Sequence, residues 1–198
     1  MTNNKNDSVT ITDVTLREYG QNIPAEHLHI FTPEIRVEIA LRLIDAGIRN
    51  IEILSCAHPK ISPAMNKEAL QKITQDLGRI NGVNLITLVP NRAGYNTFLE
   101  LGLGPDSYNH TMGVFFSAIE AHNIANLGRP LKETIEEYKK IMGDASSHNI
   151  RMIGYLSATF GYFEPESGVL IKSDLDKVNN WFLIRICGLI EAQEVFPC

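Results

Sequence analysis

Apolar positions along this chain alternate between two spacings. The β-branched run Thr10-Ile-Thr-Asp-Val-Thr15 has the composition of a pleated, buried backbone and predicts a first strand, one that delivers Arg17 and Glu18 to its C-terminal end. After it Ile35, Ile39 and Leu43 recur every four residues, with Ala46 closing the stripe, which is the period of an amphipathic helix. Thr32-Pro33-Glu34 supplies the start of that helix, a threonine cap followed by a proline and an acid, and Gly47 is placed to end it. A second strand is predicted over 50–55. A helix capped by Ser62-Pro63 then runs to about Gly78, and a third strand follows over 84–89. Next come a helix over 92–101, a fourth strand near 110–116, a polar loop, a helix over 131–147 and a fifth strand over 150–157.

Regular β-α alternation with short turns implies parallel strands joined by right-handed crossovers. The pattern alone is equally that of a doubly wound sheet or a (β/α)₈ barrel. In either, a charged group beyond the C-terminal end of a strand lies where such folds keep their chemistry. Arg17, Glu18 and Gln21 would be costly to bury there without a partner, a metal or an anionic ligand. Glu52 stands between Ile51 and Ile53, so if the isoleucines face the helices the glutamate points the other way, toward Arg17 of the neighbouring strand.

Composition narrows the partners. The chain has 198 residues, 44% of them hydrophobic and 21% charged, the make-up of one soluble globular domain. A net charge of -5 with no cluster of lysine and arginine argues against nucleic acid. No run approaches the ~20 apolar residues that span a bilayer, and residues 1–8 form a polar tail without a signal-peptide core. The three cysteines, Cys56, Cys187 and Cys198, form no C-x-x-C, which fits a reducing, cytoplasmic setting. Small molecules are the expected partners. Cys56 reads as a packing residue with no base attached to it.

The segment Asp13-Val-Thr-Leu-Arg-Glu-Tyr-Gly-Gln21 resembles the opening of the DRE-TIM metallolyases, the family of 3-hydroxy-3-methylglutaryl-CoA lyase and the isopropylmalate and homocitrate synthases. Asp13, Thr15, Leu16, Arg17 and Gln21 fit the family pattern. Glu18 stands in place of its metal-binding aspartate, and Tyr19 in place of a glycine. Further likenesses are Ser55-Cys-Ala-His-Pro-Lys60, Leu88-Val-Pro-Asn-Arg92, the Ser-x-x-Glu-x-His-x-x-x-Asn spacing of 117–126, and Gly154-Tyr-Leu-Ser157. The resemblance implies a (β/α)₈ TIM-type barrel, here partial, with about its first five β/α units.

It also implies a metal-dependent carbon-carbon lyase cleaving an acyl-CoA-type substrate through an enolate. Arg17 and Glu52 would be catalytic, Glu18 would hold a divalent Mg²⁺ or Mn²⁺, and Gln21, Asn91, Ser117, Glu120, Ser157 and Thr159 would contact substrate. On the residues themselves Asn91 is as much a helix cap, and His122 a solvated or helix-facing histidine. A condensing synthase acting on a 2-oxo acid is the alternative within the family. An inactive remnant, or a half-barrel that completes itself by self-association and serves as a binding module, is the alternative outside it. The resemblance runs over 9–180. Residues 181–198 depart from it, and the later Asp-Thr-x-Gly and His-x-His motifs do not occur after Asn180, so a C-terminally truncated barrel with an atypical tail is expected. His27-x-His29 lies in a loop before the first long helix.

Overall fold

The computed structural model describes residues 9–173 and the backbone of 196–197. Five parallel strands, β1 (Thr12–Asp13), β2 (Asn50–Ser55), β3 (Asn84–Leu88), β4 (Thr111–Ser117) and β5 (Met152–Ser157), pair in the order of the chain. A doubly wound sheet reverses its strand order partway, which sends its helices to opposite faces. Here the order never reverses, so successive right-handed crossovers leave every helix on one side and the sheet curls into half a barrel. The expected tail, 181–198, lies outside the described residues except for Phe196–Pro197, whose backbone pairs parallel with Tyr155 and Leu156 of β5.

Most elements form where the pattern places them, with local departures. β1 is two residues long, and Arg17 and Glu18 belong to a helix, α1 (Thr15–Asn22), and not to a strand end. The Asp13 carboxylate accepts from the Thr15 amide at 3.1 Å and from its hydroxyl at 3.2 Å, an Asx-type turn that starts the helix, and fully buried Leu16 docks it. In α2 (Pro33–Asp45) the Thr32 hydroxyl caps the Ile35 amide as expected, but Ile35 is exposed and the fully buried positions are Arg36 and Ala40. Ser62-Pro63 opens a 3₁₀ turn (Pro63–Met65), and the cap of α3 (Lys67–Leu77) is Asn66, which accepts from the Ala69 amide at 3.0 Å.

Asn91 caps α4 (Arg92–Glu100). The stretch after β4, expected as a polar loop, holds α5 (Glu120–Leu127), ended by Gly128 in the left-handed region, before α6 (Leu131–Ser147). A two-stranded antiparallel hairpin, β6 (Tyr162–Glu164) and β7 (Val169–Ile171), follows β5 and was not expected.

The core lies between the helices and the outer sheet face, where Ile51, Ile53, Leu85, Met112 and Val114 meet Leu70, Ile73, Phe98 and Ile141. The inner face follows from register. Glu52, Ile86 and Thr111 are aligned across β2, β3 and β4. The β2–β3 register then slips by one residue at Ile53, so Ser55 aligns with Leu88 and Gly113. A regular strand would send Ser55 to the face opposite Glu52; this bulge returns it to the same face. A Cβ on Gly113 would meet Tyr155, Ile86 and Leu88 at 3.2 to 3.5 Å, so the inner face is closely packed at mid-height.

Candidate active site

The C-terminal mouth of the half-barrel is built first by α1. Arg17 lies in its opening turn, directly above β2, and its Nε donates to Glu52 Oε2 at 2.5 Å while Nη1 pairs with Glu18. The exposures are unequal: 18% for the Arg17 side chain, 0% for Glu52 and 55% for Glu18. Buried charge is therefore balanced between Arg17 and Glu52, with Glu18 on the solvent side. Gln21 follows Arg17 by one helical turn on the same face.

Three buried oxygens here, Glu52 Oε1, Ser55 Oγ and Gln21 Oε1, have no hydrogen-bond partner. Native interiors rarely leave such atoms unpaired, since each costs ~1–3 kcal/mol, so each is open to a further partner, as are Arg36 Nε and Arg129 Nε elsewhere in the structure.

The mouths of β4 and β5 add a second group. Ser117 and Ser157 are register partners; Ser117 Oγ donates to the Ser157 carbonyl at 3.4 Å, accepts from the Ile119 amide at 3.1 Å and lies 3.0 Å from His122 Nδ1. Asn123, fully buried, fixes this corner: its Oδ1 accepts from the Ser117 amide, and its Nδ2 donates to the Arg129 carbonyl and Thr134 Oγ1. His122 also packs edge-on against Tyr162, and burial lowers its pKa. After Ser157 the chain turns through Ala158 in the left-handed region (φ 54°), and Thr159 Oγ1 donates to the Leu156 carbonyl at 2.9 Å.

The structure thus brings Arg17, Glu18 and Glu52 into one group, with Gln21 one turn further along α1, and Ser117 with Ser157 into another. Two other expected contacts are spent on helix ends. Asn91 Oδ1 accepts from the Gly94 amide at 2.9 Å, and Glu120 Oε2 accepts from the Leu131 amide at 3.1 Å to cap α6. Burial pushes the Cys56 thiol up to about 12, which keeps it protonated and unreactive. Ser55, the first residue of the 55–60 likeness, was not among the expected site residues, because only the register shift turns it inward.

A hard divalent cation takes six or more oxygens, several of them from carboxylates and carbonyls. Among the described residues no three histidine, cysteine or acidic side chains come together, and the Glu18 carboxylate is engaged by Arg17. Those residues do not fit a resident metal centre.

No family model matches the chain. Curated relatives do. The hydroxymethylglutaryl-CoA lyase YngG of Bacillus subtilis is 33% identical over 153 residues, covering 77% of this chain and 47% of its own length. The 3-hydroxy-3-isohexenylglutaryl-CoA/hydroxymethylglutaryl-CoA lyase of Pseudomonas aeruginosa is 30% identical over 152 residues, covering 75% and 47%. Among solved structures the HMG-CoA lyase of Bacillus subtilis superposes with a TM-score of 0.77 at 28% identity, covering 96% of this chain and 57% of its own. The chain spans about half the length of the curated relatives it matches.

Proposed function

The chain is a relative of the hydroxymethylglutaryl-CoA lyases of the DRE-TIM metallolyase family, and on that premise we propose that it carries the arginine side of a carbon-carbon lyase site for a branched 3-hydroxyacyl-CoA. The observation that carries this reading is the Arg17 guanidinium anchored on fully buried Glu52 at the barrel mouth. Cleavage of such a substrate removes the proton of the 3-hydroxyl, breaks the adjacent C–C bond and moves its electron pair onto the thioester oxygen as an enolate. A guanidinium locked in place stabilises that developing charge without reorganising at the moment of reaction. Glu52 does the locking: Nε is tied to it, so the outer edge of the guanidinium faces the mouth. The unpaired oxygens of Glu52, Ser55 and Gln21 would accept from the substrate hydroxyl. Lyase names on both curated relatives favour cleavage over condensation.

The test is calorimetric titration of the purified chain with 3-hydroxy-3-methylglutaryl-CoA, alongside Arg17→Gln. Binding that weakens at least tenfold in the variant, the worth of one charge-assisted hydrogen bond, supports the reading. Equal affinity for both proteins overturns it. Turnover is expected to stay well below ~1 s⁻¹, the low end for enzymes, because among the described residues no three histidine, cysteine or acidic side chains come together to hold a catalytic cation.

A further inference from the structure

Arg36 is the largest fully buried side chain among the described residues, and no carboxylate pairs with it. An arginine in that state is expensive, and burial pulls its pKa down to about 10. A methionine or leucine would fill the same place on α2 at less cost, so the guanidinium must serve its contacts. Those contacts are backbone carbonyls and soft surfaces. Nη1 donates to the Ala64 carbonyl at 2.8 Å, and Nη2 reaches the Ile53 carbonyl at 3.4 Å and Met65 Sδ at 2.9 Å. The Phe31 ring lies 5.5 Å from the guanidinium carbon.

Ile53 is the residue skipped in the β2–β3 register, at the point where the ladder is irregular. Arg36 therefore reaches through the core to the one place where β2 is irregular. That irregularity is what puts Glu52 and Ser55 on the same inner face, each with an unpaired oxygen.

We propose that Arg36 is a positioning residue: by taking the Ile53 carbonyl it holds the β2 bulge, and so keeps Ser55 on the face where Glu52 anchors Arg17. Its second anchor, the Ala64 carbonyl, ties the 3₁₀ turn to the same point. From there Met65 and Phe31 support α1: a Cβ on Gly20 would lie 2.7 Å from Met65 Cε and 3.2 Å from Phe31 Cε1. The guanidinium thus bears on both partners of the Arg17–Glu52 pair without touching either. The role in ligand binding rests on the function proposed above; the role in holding the bulge does not.

Two variants separate the possibilities. Arg36→Met keeps the volume and discards the buried charge, so the fold is retained; Arg36→Lys keeps a donor for one carbonyl. The first readout is strand register, from interstrand contacts between β2 and β3 measured by NMR. Arg36→Met is expected to lose the Leu54–Thr87 alignment and pair Ile53 with Thr87, whereas Arg36→Lys retains the native register. The second is affinity for 3-hydroxy-3-methylglutaryl-CoA, expected to fall about tenfold or more in Arg36→Met and to be largely kept in Arg36→Lys. In Arg36→Met/Arg17→Gln the loss should not exceed that of Arg17→Gln alone, since both act through one group. Native register in Arg36→Met overturns the proposal. If the unsubstituted chain binds no acyl-CoA, the functional reading fails while the register measurement still decides the role of Arg36.

Discussion

Replacing Arg17 with methionine should unmask how much the buried pair governs. Glu52 is fully buried, one of its oxygens has no partner, and the other depends on Arg17 Nε. Without the guanidinium both oxygens are stranded. Removing one partner of a buried pair typically costs ~3–5 kcal/mol. Water reaches this pair from the Arg17 side, which is 18% exposed, so the lower end applies, ~3 kcal/mol. For a domain of this size that corresponds to a fall in Tm of ~6–12 °C.

The loss comes from the Glu52 charge left in the core without its partner. Arg17→Met/Glu52→Gln, with no charge left to strand, should recover much of the loss. Urea unfolding of the unsubstituted chain and the two variants measures this, and a destabilisation of Arg17→Met below ~0.5 kcal/mol, the range of ordinary surface substitutions, would show that the pair governs little.

His110 is buried against Thr87 Oγ1, and desolvation, with Arg151 adding to it, lowers its pKa to about 3. A base with a depressed folded pKa stabilises fully above its ordinary value of 6.5, and stability drains as pH falls below it. The slope should approach ~1.4 kcal/mol per pH unit between about 6 and 4, and His110→Leu should flatten it in urea titrations. Gly94 lets α4 sit against the end of β2: an added Cβ would come within 2.7 Å of the Cys56 carbonyl oxygen. Gly94→Ala should therefore cost ~1–3 kcal/mol, and an unchanged melting temperature would show that the helix can shift at no cost. Phe160, Phe163 and Leu170 are 78%, 61% and 57% exposed around a lone two-stranded hairpin, an element marginal by itself. Sedimentation velocity should show concentration-dependent association, and a compact monomer at high concentration would contradict it.

The alternation of strands and helices was legible because apolar period and capping residues carry it: Thr32, Asn91 and the 50–55 run all behave as their types require, while the choice of a barrel came from the family resemblance. Strand order was not, since parallel alternation is common to two folds until pairing is known. Arg17 and Glu18 were placed on a strand because β-branched residues precede them; the Asp13 turn that starts α1 is a local competition that composition does not reveal. Arg36 had a signal that the Ile35-Ile39-Leu43 spacing obscured, for it shares a helix face with Ala40 and Leu43. Ser55 had none. A one-residue slip in β2 decides its side, and that slip depends on a guanidinium from another element.

The central claim, that Arg17 anchored on Glu52 receives the acyl end of a 3-hydroxyacyl-CoA, is tested most directly by a crystal structure of the chain with 3-hydroxy-3-methylglutaryl-CoA bound. The acyl oxygens should lie within hydrogen-bond distance of the Arg17 guanidinium, with the Arg17–Glu52 pair intact and the 3-hydroxyl facing the oxygens of Glu52, Ser55 or Gln21. An acyl group bound away from the β1–β2 mouth, with Arg17 untouched, would contradict it.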